Sequence, residues 1–117
     1  MSSPRNVELI KRAKSIGYHI EAIFVLTASD KINVERVRNR VNNGGHDVPT
    51  DKIISRYHKS LRNLSELLKV SDVMWVIDNS TAKAELLIHL KDNVLTIHET
   101  TLWSKERIQQ LIDGTIE

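Results

Sequence analysis

An α/β fold is predicted by three features of this 117-residue chain. Residues 22–26 (AIFVL) and 73–77 (VMWVI) are apolar at every position, the pattern of strands buried on both faces of a helix-covered parallel sheet. Between them lie two segments of helical period, long enough to make the crossover that a parallel pair requires. Such a crossover is expected to be right-handed. The third feature is the tail, which reads as a β-hairpin followed by one more helix. The length suits a single domain over residues 1–117, and 40% apolar residues suffice for a core.

The elements follow in order. Ser2, Ser3 and Pro4 open a helix, with Ser3 as N-cap and Pro4 in its first turn. Val7, Ile10 and Ala13 recur at helical spacing and Gly17 stops it. Residues 18–27 form the first strand. Ser29 or Asp30 caps a second helix running to about residue 43, with Ile32, Val34, Val37 and Val41 as its apolar stripe. Gly44 and Gly45 end it, and residues 46–49 (HDVP) are a loop because the residue before proline avoids the helical region. A third helix spans about residues 50–69. Ile53, Ile54, Tyr57, Leu61, Leu64 and Leu68 form its buried face, and Lys52, Arg56, Lys59 and Asn63 lie elsewhere. After the second strand, residues 83–91 and 94–99 pair around Asp92-Asn93, although residues 84–87 also suit a helix. Residues 104–113 form the last helix, with Gly114 beyond it. His89 and His98 are expected to face each other across the hairpin. Trp75 and Trp103 are assigned to the core or to a partner contact. Two buried strands are too few for a parallel sheet, so further strands are expected from another chain or from a segment that is not part of this one.

Composition removes several function classes. With no cysteine there is no disulfide framework, thiolate zinc site or cysteine nucleophile. No apolar run is long enough to span a bilayer or serve as a signal peptide, which predicts a soluble, cytoplasmic protein without a membrane partner. The net charge is only +2. It is unevenly spread: residues 31–62 carry a net +5 and the remainder −3. A basic centre of this kind is either a solvated helical face or a surface that meets an anion. Nucleic acid is not expected, because Tyr57 is the one aromatic residue in that window and stacking readout needs more.

Residues 36–49 (RVRNRVNNGGHDVP), 53–57 (IISRY) and 60–64 (SLRNL) carry the most specific signal. This stretch resembles the lid region of the zeta-toxin-like P-loop kinases, RVxxRVxxGGHDVPxxxIxxRYxxSLxNL. The resemblance extends over most of residues 2–81, through an apolar strand ending in Asp78-Asn79-Ser80, and is loose beyond residue 82. It implies a partial P-loop-kinase-type parallel sheet with a helical lid at about residues 30–69. It also implies ATP and Mg²⁺ as cofactors of the complete enzyme, a UDP-activated amino sugar as phosphate acceptor, and an antitoxin as partner.

Phosphoryl transfer is mostly positioning and electrostatic stabilisation, so a lid that brings arginines to phosphates fits that chemistry. Arg36 and Arg40 lie four apart and project from one side of their helix. Arg38 points elsewhere, toward solvent. By resemblance Arg40 and Arg56 are the phosphate ligands and candidate catalytic groups, with Arg36 next; surface pairing with Glu35 or Asp51 is the alternative for each. Gly44 and Gly45 supply either a hinge with free amides for an anion or a helix C-cap, or both. His46 and Asp47 form either a lid pair meeting substrate or, for Asp47, a loop-stabilising turn. Asp78, Asn79 and Ser80 stand at the carboxyl end of a buried strand, where open α/β sheets bind ligands. They are either an adenine-side contact or an ordinary strand-ending turn. No metal site is expected, since no ligand set has suitable spacing.

The 117 residues contain no GxxxxGKS/T, so nothing cradles the β-phosphate. By resemblance the chain begins near the family's midpoint. It is expected to be inactive alone, to bind no nucleotide tightly, and to need a missing N-terminal half. The alternative is a non-enzymatic module that self-associates, as a dimer or an exchanged oligomer, through an unpaired strand edge.

Overall fold

The computed structural model describes residues 4–116. Its elements are α1 (Pro4–Ser15), β1 (Glu21–Leu26), α2 (Asp30–Asn42), α3 (Thr50–Val70), β2 (Val73–Asp78), β3 (Glu85–Lys91), β4 (Val94–Ile97) and α4 (Lys105–Asp113). The expected cap at Ser3 lies outside the described residues. Ser29 caps α2, its side chain accepting from the Lys31 amide at 3.1 Å. Ser104 caps α4 in the same way through the Arg107 amide, and left-handed Gly114 closes it. No helix among the described residues is long and apolar enough to cross a membrane.

The architecture is α/β, with one mixed four-stranded sheet in the order β1-β2-β3-β4. β1 and β2 are parallel, from Glu21 beside Val73 to Leu26 beside Asp78. β2–β3 and β3–β4 are antiparallel. The hairpin turns at Asp92-Asn93, both at positive φ (52° and 63°), the mirror-image turn that matches strand twist. The helical alternative for residues 84–87 is not adopted: Glu85, Leu86 and Leu87 belong to β3.

The sheet differs from expectation in three ways. It reaches four strands because β3 and β4 add to β2, so the chain itself supplies neighbours on that side. β1 is not buried on both faces. Ala22, Phe24 and Leu26 point into the core, whereas Ile23 and Val25 are 63% and 54% exposed. A uniformly apolar strand shows no alternation in its sequence, and all helices with core contacts lie on one side, so the other side stays open. Finally, His89 is opposite Thr96, not His98, and its ring stacks on Trp75 with centroids 5.6 Å apart. An irregularity in the β2–β3 register between Val76 and Ile77 accompanies that pairing.

The core lies between the sheet and α3. Tyr57, Leu61, Leu64, Leu67 and Leu68 of α3 meet Phe24, Leu26, Met74 and Val76 from the strands. Leu87, Ile88, Ile108 and Leu111 close it from the hairpin and α4. Trp103 is fully buried, with the Arg107 guanidinium 4.2 Å from its ring centroid. Trp75, by contrast, is half-buried on the open face. Helix α2 contributes no buried residue at all.

Asp72 ties the start of β1 to the turn before β2. Its carboxylate accepts from the Ile20 amide at 2.7 Å and lies 3.3 Å from the Lys14 ammonium and 3.7 Å from His19. The Asp72 amide returns a bond to the Ile20 carbonyl at 2.8 Å. The Ile20 hydrogen bond, aided by Lys14, holds the Asp72 carboxyl below its usual value of 3.8. A carboxyl with a lowered folded-state value stabilises the fold above its unfolded value and loses that contribution as pH falls through the folded one. Asp72→Asn is therefore expected to melt below the parent protein at pH 7. The two melting curves should converge as pH is lowered through the acid carboxylate range, and a gap that persists below it would show that charge is not the cause.

Candidate functional site

A cleft of about 480 Å³ opens at the carboxyl ends of β1 and β2, between α2 and α3. Leu26, Val37, Ile53 and Leu61 form its apolar floor. Its polar lining holds Arg36, Arg40 and Arg56, together with Asn33, Ser60 and Asn79, and contains no carboxylate. Three cations with no acidic neighbour in the lining select for an anion.

The wall beside β1 and β2 is held by a clasp of short polar bonds. The Asn79 amide donates to the Leu26 carbonyl at 2.9 Å, and the Ala28 amide donates to the Ser80 hydroxyl at 2.8 Å. Asp78 is buried (3% exposed), and its carboxylate accepts from both the Ser80 amide, at 2.9 Å, and the Ser80 hydroxyl. A buried carboxylate needs such donors. Thr27 bonds the Asn33 side chain at 2.7 Å, and Tyr57 donates to the Thr27 carbonyl at 2.8 Å. Burial pushes the Tyr57 phenol up, partly offset by the nearby Arg107 guanidinium. Arg107 also donates to the Ala28 carbonyl at 3.0 Å, which brings α4 to the same edge.

The predicted site residues separate into groups. Arg40 and Arg56 line the cleft from opposing helices, both exposed, and neither guanidinium has a hydrogen bond or ion pair among the described residues. Neither pairs with Glu35 or Asp51. Arg36 also lines the cleft, but its guanidinium is held by the Asn79 side chain at 2.7 Å, the Asn79 carbonyl at 2.6 Å and the Ser80 carbonyl at 3.3 Å. Asp47 is engaged away from the cleft by Arg38, at 2.9 Å. Arg38 is exposed, as expected, and also bonds the Thr50 hydroxyl, so it staples the loop between α2 and α3 from the solvent side. His46 is exposed and does not line the cleft.

Gly44 and Gly45 form a helix C-cap. Gly44 takes φ +91° and donates to the Val41 carbonyl at 3.0 Å, while Gly45 donates to the Arg40 carbonyl at 2.7 Å. Both amides are therefore committed within α2.

Three contributors escaped the sequence reading. Asn33 was legible in principle, since Asn33, Arg36 and Arg40 share one helical side at spacings of three and four. His58, which pairs with Asp30 at 3.0 Å, and Arg107 gave no local signal, because their partners are 28 and 79 residues away.

No family model, curated protein or solved structure matches the chain.

The cap at Gly45 sets the turn that carries Arg40. A Cβ there would sit 2.8 Å from the Arg40 carbonyl oxygen and 3.1 Å from its carbon, both backbone atoms that cannot swing aside. Gly45→Ala is expected to cost about 1–3 kcal/mol by the usual scale for overpacking, read from urea unfolding. An unchanged midpoint, with unchanged amide shifts from residue 40 to 46, would contradict this cap geometry.

Proposed function

We propose that the chain is the lid-bearing, adenine-side half of a zeta-toxin-like, ATP-dependent small-molecule kinase. One observation carries the reading: a cleft at the ends of parallel strands, lined by three arginines and no carboxylate. The resemblance of residues 36–64 to the family's lid names the anion as the phosphates of ATP with Mg²⁺. In this reading Arg40 and Arg56 close on those phosphates from the two lid helices, and the apolar floor takes the less polar body of the ligand. The family's acceptor is a UDP-activated amino sugar, and its inhibitory partner an antitoxin. These residues include no phosphate-cradling loop, so this reading requires one from outside them, which would pack along the open side of β1. Val25 both lines the cleft and stands on the open sheet face, so an added strand would complete a wall of the site.

The chain alone is then expected to bind ATP·Mg²⁺ only in about the millimolar range, since two arginines give a few charge-assisted bonds and little enclosure. Amide-shift titration should perturb residues around Arg40, Arg56 and Asn79. Arg40→Ala and Arg56→Ala should each weaken binding about fivefold or more at low ionic strength. Submicromolar binding would overturn the need for a missing half. No cleft perturbation at about 10 mM ATP, well above that range, would overturn the site.

A second reading rests on a different observation. β1 has no strand on its outer side among the described residues. Apart from Glu21 it carries none of the charges, prolines or bulges that usually guard an edge. The chain would then be a non-enzymatic module that pairs β1 with β1 of a second copy. Light scattering across a concentration series should show a dimer that Val25→Lys dissociates; a monomer throughout would dismiss this reading.

A further inference from the structure

The arginines of the cleft are not equivalent, and the difference follows from how α2 is held. This helix has no fully buried residue and its apolar stripe, Ile32, Val34, Val37 and Val41, is only half-buried, so apolar burial fixes its angle in part. Its lever points are polar. At its start Asn33 meets the Thr27 hydroxyl and Asp30 meets His58. Midway, Arg36 spans 43 residues of sequence to the turn at the end of β2. Its Nη1 donates to the Asn79 side-chain oxygen, and its Nη2 to the Asn79 and Ser80 carbonyls. A planar fork on these three acceptors fixes direction as well as distance. Those acceptors are themselves immobile, since Asn79 is bonded to Leu26 and Ser80 to Ala28 and Asp78. Arg40 lies one turn further along the same side of α2 and has no such anchor.

We propose that Arg36 is a positioning residue: it latches α2 to the Asn79-Ser80 turn and thereby aims Arg40 across the cleft at Arg56. This rests on the reading of the cleft as a phosphate site and divides the labour within it. Arg36 acts through Arg40 and is not itself a ligand of the anion. Asn79 is the matching half of the latch, a role distinct from contact with a base. Substituting Arg36 by Lys keeps the charge and loses the fork, so charge and geometry separate in one variant.

The test has two arms. The first needs no ligand: hydrogen exchange of the α2 amides in the full chain, for the parent, Arg36→Lys, Asn79→Ala, the double variant and Arg40→Ala. Arg36→Lys and Asn79→Ala should each speed α2 exchange about tenfold, while the α3 and sheet amides and the melting midpoint stay put. The double variant should exchange no faster than the more affected single one, because both remove one interaction. Arg40→Ala should leave α2 exchange unchanged. The second arm is titration with sodium tripolyphosphate at low ionic strength. The latch variants should weaken it about threefold to tenfold, and again non-additively.

Unchanged α2 exchange in Arg36→Lys would overturn the latch. So would α2 exchange that rises additively in the double variant. If Arg36→Lys weakens tripolyphosphate as Arg40→Ala does while α2 stays protected, Arg36 is a phosphate ligand and the proposal is wrong. If the parent chain shows no tripolyphosphate binding, the phosphate reading of the cleft fails with the aiming role, and the exchange arm still decides whether the latch exists.

Discussion

The turn Asp78-Asn79-Ser80 is the constraint on which the rest of the site depends. Two parallel strands end side by side, and their last carbonyls and amides would otherwise hang over the sheet edge. The Asn79 amide takes the Leu26 carbonyl, and the Ser80 hydroxyl takes the Ala28 amide while donating to buried Asp78. The two strand ends thus become one rigid corner. From that corner the chain leaves β1 through Thr27 and Ser29 into α2, and Arg36 returns from α2 to bond the corner again. The loop so closed is polar throughout. Its strength comes from every buried group having a partner, since a half-satisfied network of this kind would be a liability.

The core makes the opposite kind of contribution. Helix α3 is the longest helix among the described residues, and its leucines at positions 61, 64 and 67 are essentially without solvent contact. Burial of such side chains, at about 25 cal/mol per Å², is what holds α3, β2 and the hairpin in register. That burial thins at α2, whose apolar residues are half-buried, and stops at the outer face of β1. Ile23, Val25 and the half-buried Trp75 share that face, because Ile23 is paired beside Trp75 and Val25 beside Ile77. The molecule therefore has a stable side built from apolar contact and an adaptable side built from hydrogen bonds. The arginine cleft sits on the boundary between them.

Much of this was legible before any coordinates. The period of Ile53, Tyr57, Leu61, Leu64 and Leu68 predicted the buried face of α3, because those spacings leave one consistent stripe, whereas Ile54, expected with them, lies beside it and is only half-buried. Ser29, Ser104, Gly17 and Gly114 marked helix ends through chemistry that acts within a few residues. Arg36, Arg40, Arg56 and Asn79 line one cleft, the first three from α2 and α3 and the last from the end of β2. The failures differ in cause. β1 is apolar at both parities, so its sequence held no information on which face the helices would leave uncovered. The expectation for His89 was two residues out: a two-residue turn at Asp92-Asn93 pairs Lys91 with Val94 and so puts His89 opposite Thr96, not His98.

Residues 1–117 by themselves determined the α/β class, the order of elements and the basic centre with its arginines. These follow from local periodicity, capping and charge, all readable within one helical turn or one strand. Only the tertiary structure decided how those arginines differ. Arg36 is bound to Asn79 and Ser80, Arg38 is drawn to Asp47, and Arg40 and Arg56 are left without partners among the described residues. A guanidinium carries the same charge wherever it stands. What it bonds is set by acceptors brought near from as far as 43 residues away, and that proximity exists only once the chain has folded.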